Sequence, residues 1–140
     1  MKRLLSAYQY LGPLILTPLA AWAWFAHYGD LALAAPALLV PVIHAYVVPA
    51  VGTNVLGMWE FDTSVKLGKF RPHHGFVFGS ATALISLPLI GSPLDAADPG
   101  AALASALRVG LVLLAVNWAY DALAPVSYTH LTLPTMLAQC

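Results

Sequence analysis

The chain has 140 residues, of which 60% are hydrophobic and only 9% are charged. Soluble globular domains average roughly 45–50% apolar and about 25% charged residues, so this composition excludes an ordinary soluble enzyme and indicates a membrane protein. The formal net charge is zero, which offers no basic surface for nucleic acid, and we expect no nucleic-acid partner.

The first uncharged run follows a basic start and predicts a membrane span near residues 8–27. A cleaved signal peptide is the alternative, because a basic start and the small-x-small sequence at residues 21–23 are typical of one. We favour a retained span because Tyr8-Gln9-Tyr10 interrupts the apolar region. The aromatic residues toward the end of the run are also typical of an interfacial belt.

Three further apolar runs predict spans near residues 31–51, 75–91 and 101–123, and the last of them is interrupted by Arg108 and contains Asp121 near its end. About 20 apolar residues cross the hydrocarbon core of a bilayer, and the segments between the runs contain residues typical of turns. Prolines recur inside the runs and predict kinks, which membrane helices tolerate. The sequence therefore predicts an all-α, polytopic membrane protein with four transmembrane helices in an antiparallel, Pro-kinked bundle.

The basic residues predict the orientation in the cell membrane. Lys2 and Arg3 precede the first span, and Lys66, Lys69 and Arg71 lie between the second and third spans. Short cytoplasmic loops carry the excess of positive charge. We therefore expect the N-terminus and loop 57–74 to lie in the cytoplasm, with the lipid bilayer as the main partner.

Ionisable groups are predicted to gather at the cytoplasmic ends of the helices. His44 lies inside the second run, roughly 10 Å from its end, and His73 and His74 open the third. Asn117 and Asp121, at spacing i, i+4, share one face of the fourth. Because ionisable groups at membrane depth are costly and often functional, we assign catalysis or proton transfer to His44, His73, His74 and Asp121.

The same histidines, His44, His73 and His74, are candidate ligands of a metal ion, and Lys66, Lys69, Arg71 and Asn117 are candidate residues for binding an anionic substrate. Each has a purely structural alternative. The His44 imidazole would hold a proline kink by bonding a backbone carbonyl, and the histidine doublet would meet anionic lipid at the interface. Asn117 and Asp121 would then cap and anchor a helix end.

Small residues recur at spacing four in the third run, at Gly75, Gly79 and Ala83. Such a pattern lets two helix backbones approach closely. It predicts a helix–helix contact, either within the chain or with a partner helix.

A histidine and carboxylate cluster on the cytoplasmic side of a four-helix membrane core resembles the integral-membrane fatty-acid desaturase, hydroxylase and alkane monooxygenase group. The resemblance implies histidine-bound iron as a cofactor, and imidazole and carboxylate suit such a metal. Of that group's histidine boxes, HxxxH and HxxHH, this chain contains only the doublet His73-His74.

The C-terminal sequence VSYTHLTLPT, residues 126–135, resembles the translation of a sequencing adapter. We therefore expect the biological domain to cover residues 1–125 and to have continued in the natural chain, and we interpret residues 126–140 as read-through. A genuine short polar tail is the alternative.

No Walker loop, dinucleotide fingerprint, GxSxG elbow or HExxH motif occurs in the chain, which excludes the soluble enzyme classes that those motifs define. The leading hypothesis is a membrane-embedded enzyme acting on a lipid or isoprenoid-like substrate from the cytoplasmic leaflet. The alternative is a non-catalytic transport or assembly subunit of a membrane complex, in which Pro-broken helices line a path.

Overall fold

The computed structural model describes residues 2–58, 60–61, 65–90, 98–127 and 131–132, with side chains described for residues 7–58, 60, 65–90 and 98–120. Four helices make up most of this chain: α1 (Lys2–Tyr28), α2 (Leu31–Pro49), α3 (His74–Ile90) and α4 (Pro99–Ser127). A two-residue antiparallel pair joins β1 (Glu60–Phe61) to β2 (Leu131–Thr132). The prediction of an all-helical protein with four helices is confirmed.

The turn between α1 and α2 is made by two residues. Gly29 adopts a positive φ of 65°, which costs a residue without Cβ little, and its N–H closes α1 on the Phe25 carbonyl at 2.8 Å. The Asp30 carboxylate then accepts the Ala32 N–H at 2.7 Å and caps the start of α2. A side-chain cap of this kind satisfies one of the free donors at a helix start.

Prolines lie inside three of the helices, at positions 13 and 18 of α1, 36, 41 and 49 of α2, and 88 of α3. Immediately after Pro49 the chain widens into a π-helix, Ala50–Val55, which continues α2. There the Thr53 hydroxyl donates to the Pro49 carbonyl at 2.7 Å. Short π segments within helices occur often at functional sites, and this one leads directly into the polar part of the chain.

Helix α3 occupies the centre and packs most tightly on α2. A Cβ atom added to Gly79 would lie 2.7 Å from the backbone nitrogen of Val42, and one added to Gly75 would overlap the ring of Tyr46. Because Gly75 meets Tyr46 while Gly79 meets Val42, the two helices run antiparallel. The predicted small-residue face is therefore used inside the chain, against α2.

Helix α1 packs beside α3 and runs parallel to it, because residues later in α1 contact residues later in α3. Three hydrogen bonds join them: Tyr8 Oη to the Val77 carbonyl at 3.0 Å, the Thr17 and Ser80 hydroxyls at 2.8 Å, and Trp24 Nε1 to the Ala83 carbonyl at 3.0 Å. Near the third bond lies the apolar core, formed by Ala20, Trp24, Ala34 and Ala83. The core is thus at the end of the helices remote from residues 60–75.

Helix α4 runs antiparallel to α3 and packs mainly against it. The ring of Tyr120 meets Phe78 with centroids 5.4 Å apart, and Arg108 donates to the Leu89 carbonyl at 3.2 Å near the other end. Ser105 is the one buried residue among its described side chains. The direction of the helices therefore alternates as predicted, but α1, α2 and α3 form the packed group and α4 lies on its outside.

Two segments of the described chain, Leu31–Val55 and Pro99–Tyr120, are long and apolar enough to cross a membrane. The segment His74–Ile90 is apolar but shorter, at 17 residues. Length and composition thus give weak evidence for a membrane location. The arrangement of four spans stays a prediction.

Candidate functional site

The chain between α2 and α3 is shaped by a tight turn at residues 67–70. The Leu67 N–H donates to the Phe70 carbonyl at 2.7 Å, and Gly68 has a φ of 65°. The side chain of Asn54, from the π-helix, accepts the Lys69 N–H at 2.8 Å. Its amide also lies directly against Gly68, where an added Cβ would come within 2.7 Å of Nδ2. Asn54 therefore fixes the turn to the end of α2.

The start of α3 is held to α2 by a second contact. The Tyr46 hydroxyl donates to the Pro72 carbonyl at 2.6 Å, and the His74 N–H donates to the Arg71 carbonyl at 3.1 Å. Because Pro72 has no N–H to satisfy, it fits the turn that precedes a helix. These contacts bring Arg71, His73 and His74 to the place where the chain enters the helical group.

Arg71 and His74 are both buried, with 6% and 7% of their surfaces exposed. The His74 imidazole lies between two phenylalanine rings, with centroid distances of 5.9 Å to Phe70 and 4.6 Å to Phe78. Phe78 in turn contacts Tyr120 of α4. The His74 imidazole therefore lies in an aromatic enclosure built from the segment before α3, α3 itself and α4, and the buried Arg71 guanidinium lies close enough to lower its pKa.

His73 is half-buried and faces α1. Its ring lies 5.6 Å from that of Tyr10, and a hydrogen bond links it to the backbone of Gln9. Its Nε2 atom is buried and has no hydrogen-bond partner among the described residues. We call the set formed by Arg71, His73 and His74 the polar cluster.

The two histidines lie in the segment 57–74 that precedes the predicted third span. Burial lowers the pKa of His74 to about 4, with further lowering by Arg71 and then His73. Burial and the Arg71 charge also lower the pKa of His73, against the opposing effect of its bond to Gln9. Both imidazoles are therefore neutral at pH 7.

Arg71 supplies the positive charge of the polar cluster. Burial lowers the pKa of its guanidinium, and the phenols of Tyr120 and Tyr10 act in the opposite direction. A guanidinium stays protonated at physiological pH even after such a shift. The cluster thus combines one fixed cation with two neutral groups that can exchange protons.

The predicted site residues are only partly brought together. His44 is exposed on α2; it lies two residues from both Val42 and Tyr46, or about 200° around the helix from the side that meets α3. Asn117 is exposed on α4, and the hydrogen bonds among the described residues do not include its side chain. Asp121 lies in α4, but its side chain is outside the described residues.

The two lysines lie outside the enclosure. Lys66 donates to the Glu60 carboxylate at 2.5 Å, and both side chains are well exposed. Lys69 is exposed at the turn. Of the predicted cationic ligands for an anionic substrate, only Arg71 is thus buried.

The described residues contain no group of three or more histidine, cysteine, aspartate or glutamate side chains that could hold a metal ion. His44 in particular points away from the helix that carries His74. A histidine-bound iron site is therefore not assembled within the part of the chain that the structure describes.

The sequence did not indicate the aromatic enclosure or the role of Asn54 in fixing the turn at residues 67–70. The sequence presents Tyr8 and Tyr10 as interruptions of an apolar run, whereas in the structure Tyr8 donates to the Val77 carbonyl and Tyr10 contacts His73. The available signal was a phenol within an apolar helix, since a buried hydroxyl requires a hydrogen-bond partner.

Comparison of the chain with family models, with curated proteins and with solved structures finds no match in any of the three.

Proposed function

We propose that the protein is an integral membrane enzyme that acts on the anionic headgroup of a lipid or isoprenoid-like substrate at the cytoplasmic leaflet. The observation that carries this proposal is the burial of Arg71 close to His74, whose imidazole lies within an aromatic enclosure. In this proposal the N-terminus and residues 57–74 face the cytoplasm, because they carry the basic residues of the short loops.

Burial of the polar cluster is the first support. Removing a charge from water costs several kcal/mol, and ionisable groups placed so expensively in membrane proteins are functional candidates by default. Titratable groups with pKa values strongly displaced by burial also concentrate at functional sites. The lowered pKa of His74 and the neighbouring lowered pKa of His73 fit that pattern.

The chemistry of the side chains is the second support. A guanidinium presents parallel N–H donors that match phosphate or carboxylate oxygens, so Arg71 is proposed to hold the headgroup. Lys69, exposed on the adjacent turn, would add to the positive field that draws anions to this end. Neutral His73 and His74 are suited to take up or deliver a proton, and Asp121, next to Tyr120, is a candidate acid.

Lipid retention tests the headgroup proposal directly. The protein would be placed in nanodiscs of equal phosphatidylglycerol and phosphatidylcholine, and the lipids retained after detergent exchange would be counted by native mass spectrometry. We expect phosphatidylglycerol to be enriched, and Arg71→Gln to lower that enrichment by about tenfold, since a hydrogen bond to a charged group contributes about 1.5–3 kcal/mol.

Arg108→Gln is the matched control. It removes the same charge from an exposed arginine near the opposite end of the helices, where it bonds the Leu89 carbonyl. Enrichment should survive in Arg108→Gln. Equal enrichment in wild type and Arg71→Gln, or an equal loss in both variants, would overturn the proposal.

A non-catalytic transport or assembly subunit is the second candidate function. The exposure of His44 on α2 and of Asn117 on α4 favours it, because outward-facing polar groups on apolar helices commonly meet another helix or a water-filled path. The two candidates differ at the polar cluster. An enzyme loses turnover in His73→Gln and His74→Gln variants that still insert and fold, whereas a subunit keeps its assembly.

A further inference from the structure

We propose that α4 pairs with α4 of a second copy of this chain through a seam of residues on its outer side. The seam consists of Leu103, Leu107, Gly110, Leu114 and Asn117. This interface is separate from the polar cluster and goes beyond the proposed enzyme function. It requires only that α4 be inserted in a membrane.

The spacing of the seam is the first observation. Its residues follow one another at intervals of four, three, four and three, which is the repeat that keeps one side of a helix facing a partner helix. The three leucines are between 58% and 66% exposed. Ser105, which lies on the side of α3 and is 6% exposed, is two residues or about 200° from Leu107. The leucine part of the seam therefore faces away from the chain's other helices, and Asn117, three residues before the Tyr120 that contacts Phe78, lies at the edge of the seam.

Asn117 is the second observation, and it is independent of the leucine spacing. An amide side chain within an apolar helix has two donors and an acceptor that hydrocarbon cannot satisfy. Asparagine side chains in membrane helices accordingly bond across to neighbouring helices. Asn117 is exposed and has no hydrogen bond to the described residues, so its amide is placed to bond across to a partner helix.

The chemistry of the seam selects a second copy as that partner. Two copies inserted in the same orientation bring α4 alongside α4 with each residue at the depth of its equivalent, as a twofold axis along the membrane normal requires. Asn117 then meets Asn117, and an amide is complementary to itself because it both donates and accepts. The seam carries no charged residue, so identical faces do not repel.

Gly110 supplies the close approach. It lies in the middle of the seam, and a Cβ added to it would meet nothing within 4 Å. The residue is therefore not required by packing inside this chain. In a pair of helices, a glycine at the contact allows the backbones to come together and packing forces to act along the whole seam.

Cysteine cross-linking locates the interface. In a Cys140→Ser background, Leu114→Cys is compared with Ala115→Cys, which lies at nearly the same depth but about 100° around the helix. Both positions are exposed, so access of the oxidant copper phenanthroline is matched. We expect a disulfide-linked dimer to form readily in bilayers at position 114 and at least fivefold more slowly at position 115.

Association measured by energy transfer between donor- and acceptor-labelled copies in vesicles tests the two special residues. Asn117→Leu should weaken association roughly three- to tenfold, in line with the modest strength of hydrogen bonds between membrane helices. Gly110→Leu should weaken it as well, while circular dichroism shows unchanged helix content. Ala115→Leu is the control and should leave association unchanged.

Three results would overturn the proposal. A purified chain that is monomeric at every protein-to-lipid ratio would mean that lipid or a different protein covers the seam. The other two results are equal cross-linking at positions 114 and 115, and association of Asn117→Leu as strong as that of wild type. Extraction of membranes with alkaline carbonate separately establishes whether α4 is inserted at all, so failure of membrane insertion is distinguishable from failure of pairing.

Discussion

Helices α3 and α4 are both apolar, yet α3 is packed against neighbouring helices and α4 is largely exposed. Seven of the 17 residues of α3 are buried, whereas α4, with 29 residues, has Ser105 as the one buried residue among its described side chains. The difference comes from where the small residues lie. Gly75, Gly79 and Ala83 face a neighbouring helix, while Gly110 faces open space. Apolarity predicts a helix, but small residues against a neighbour determine which helix is central.

We expect the largest effect on stability when a small residue on the packed side of α3 is replaced by a large one. In Gly79→Leu the new side chain would collide with the backbone of Val42, and overpacking against backbone that cannot move costs about 3 kcal/mol or more. We expect loss of the cooperative thermal transition, measured by circular dichroism in detergent. Gly110→Leu on α4 is the matched control and should unfold within a few degrees of wild type. Similar transitions for both variants would remove the distinction between the helices.

Acidification is expected to have the next largest effect. The pKa of His74 is about 4 in the folded protein, against an ordinary value of 6.5. Between these values the unfolded chain binds the proton that the folded protein excludes, so stability is full above pH 6.5 and falls as the pH falls toward 4. The loss of folding stability approaches about 3 kcal/mol as the pH nears 4.

A pH series of thermal unfolding curves checks this dependence, with His74→Phe as the comparison. Phenylalanine keeps the contacts with Phe70 and Phe78 and cannot titrate. The variant should therefore lose less stability between pH 6.5 and 4 than wild type does. If the unfolding temperature depends on pH equally in both proteins, His74 is not the group that causes the loss of stability in acid.

Removing a single polar contact of α3 should have a moderate effect. Trp24→Phe deletes the buried hydrogen bond from Nε1 to the Ala83 carbonyl and shrinks a ring in the apolar core, at a cost of about 1–2 kcal/mol. Trp22→Phe makes the same substitution at a tryptophan that is 67% exposed, and it should not measurably change the free energy of unfolding. Denaturant titration of the two variants, followed by tryptophan fluorescence, would reveal the expected order or its reversal.

The smallest effect is expected at the exposed ion pair of Lys66 and Glu60. Exposed pairs contribute little because water and salt screen them. Lys66→Gln should therefore unfold at the wild-type temperature at low and at high salt. A clear destabilisation that disappears in high salt would show that the loop depends on this pair.

The sequence was sufficient to predict four helices, turns between them and the packing face at Gly75 and Gly79, because these depend on local chemistry and on spacing along one helix. It was not sufficient for the polar cluster. His44 was placed at the same depth as His74, but depth along a helix does not give direction around it, and only the contacts of Val42 and Tyr46 with α3 show that His44 faces outward.

The burial of Arg71 also could not be predicted from the sequence. In the sequence it belongs to a basic segment with Lys66 and Lys69, and all three are predicted to bind an anionic substrate. Burial of Arg71 depends on Asn54 fixing the turn and on Tyr46 holding Pro72. Both contacts join residues distant in sequence, which periodicity does not reveal.

Residues 57–74, with the polar cluster, are proposed to lie at the cytoplasmic ends of helices that cross the membrane. This orientation can be measured by labelling single cysteines with a membrane-impermeant maleimide, in a Cys140→Ser background with Lys69→Cys at one end and Leu31→Cys at the other, both exposed positions. We expect intact cells to be labelled at position 31 only, and position 69 to react after permeabilisation. Labelling of both positions in intact cells, or of position 69 alone, would contradict it.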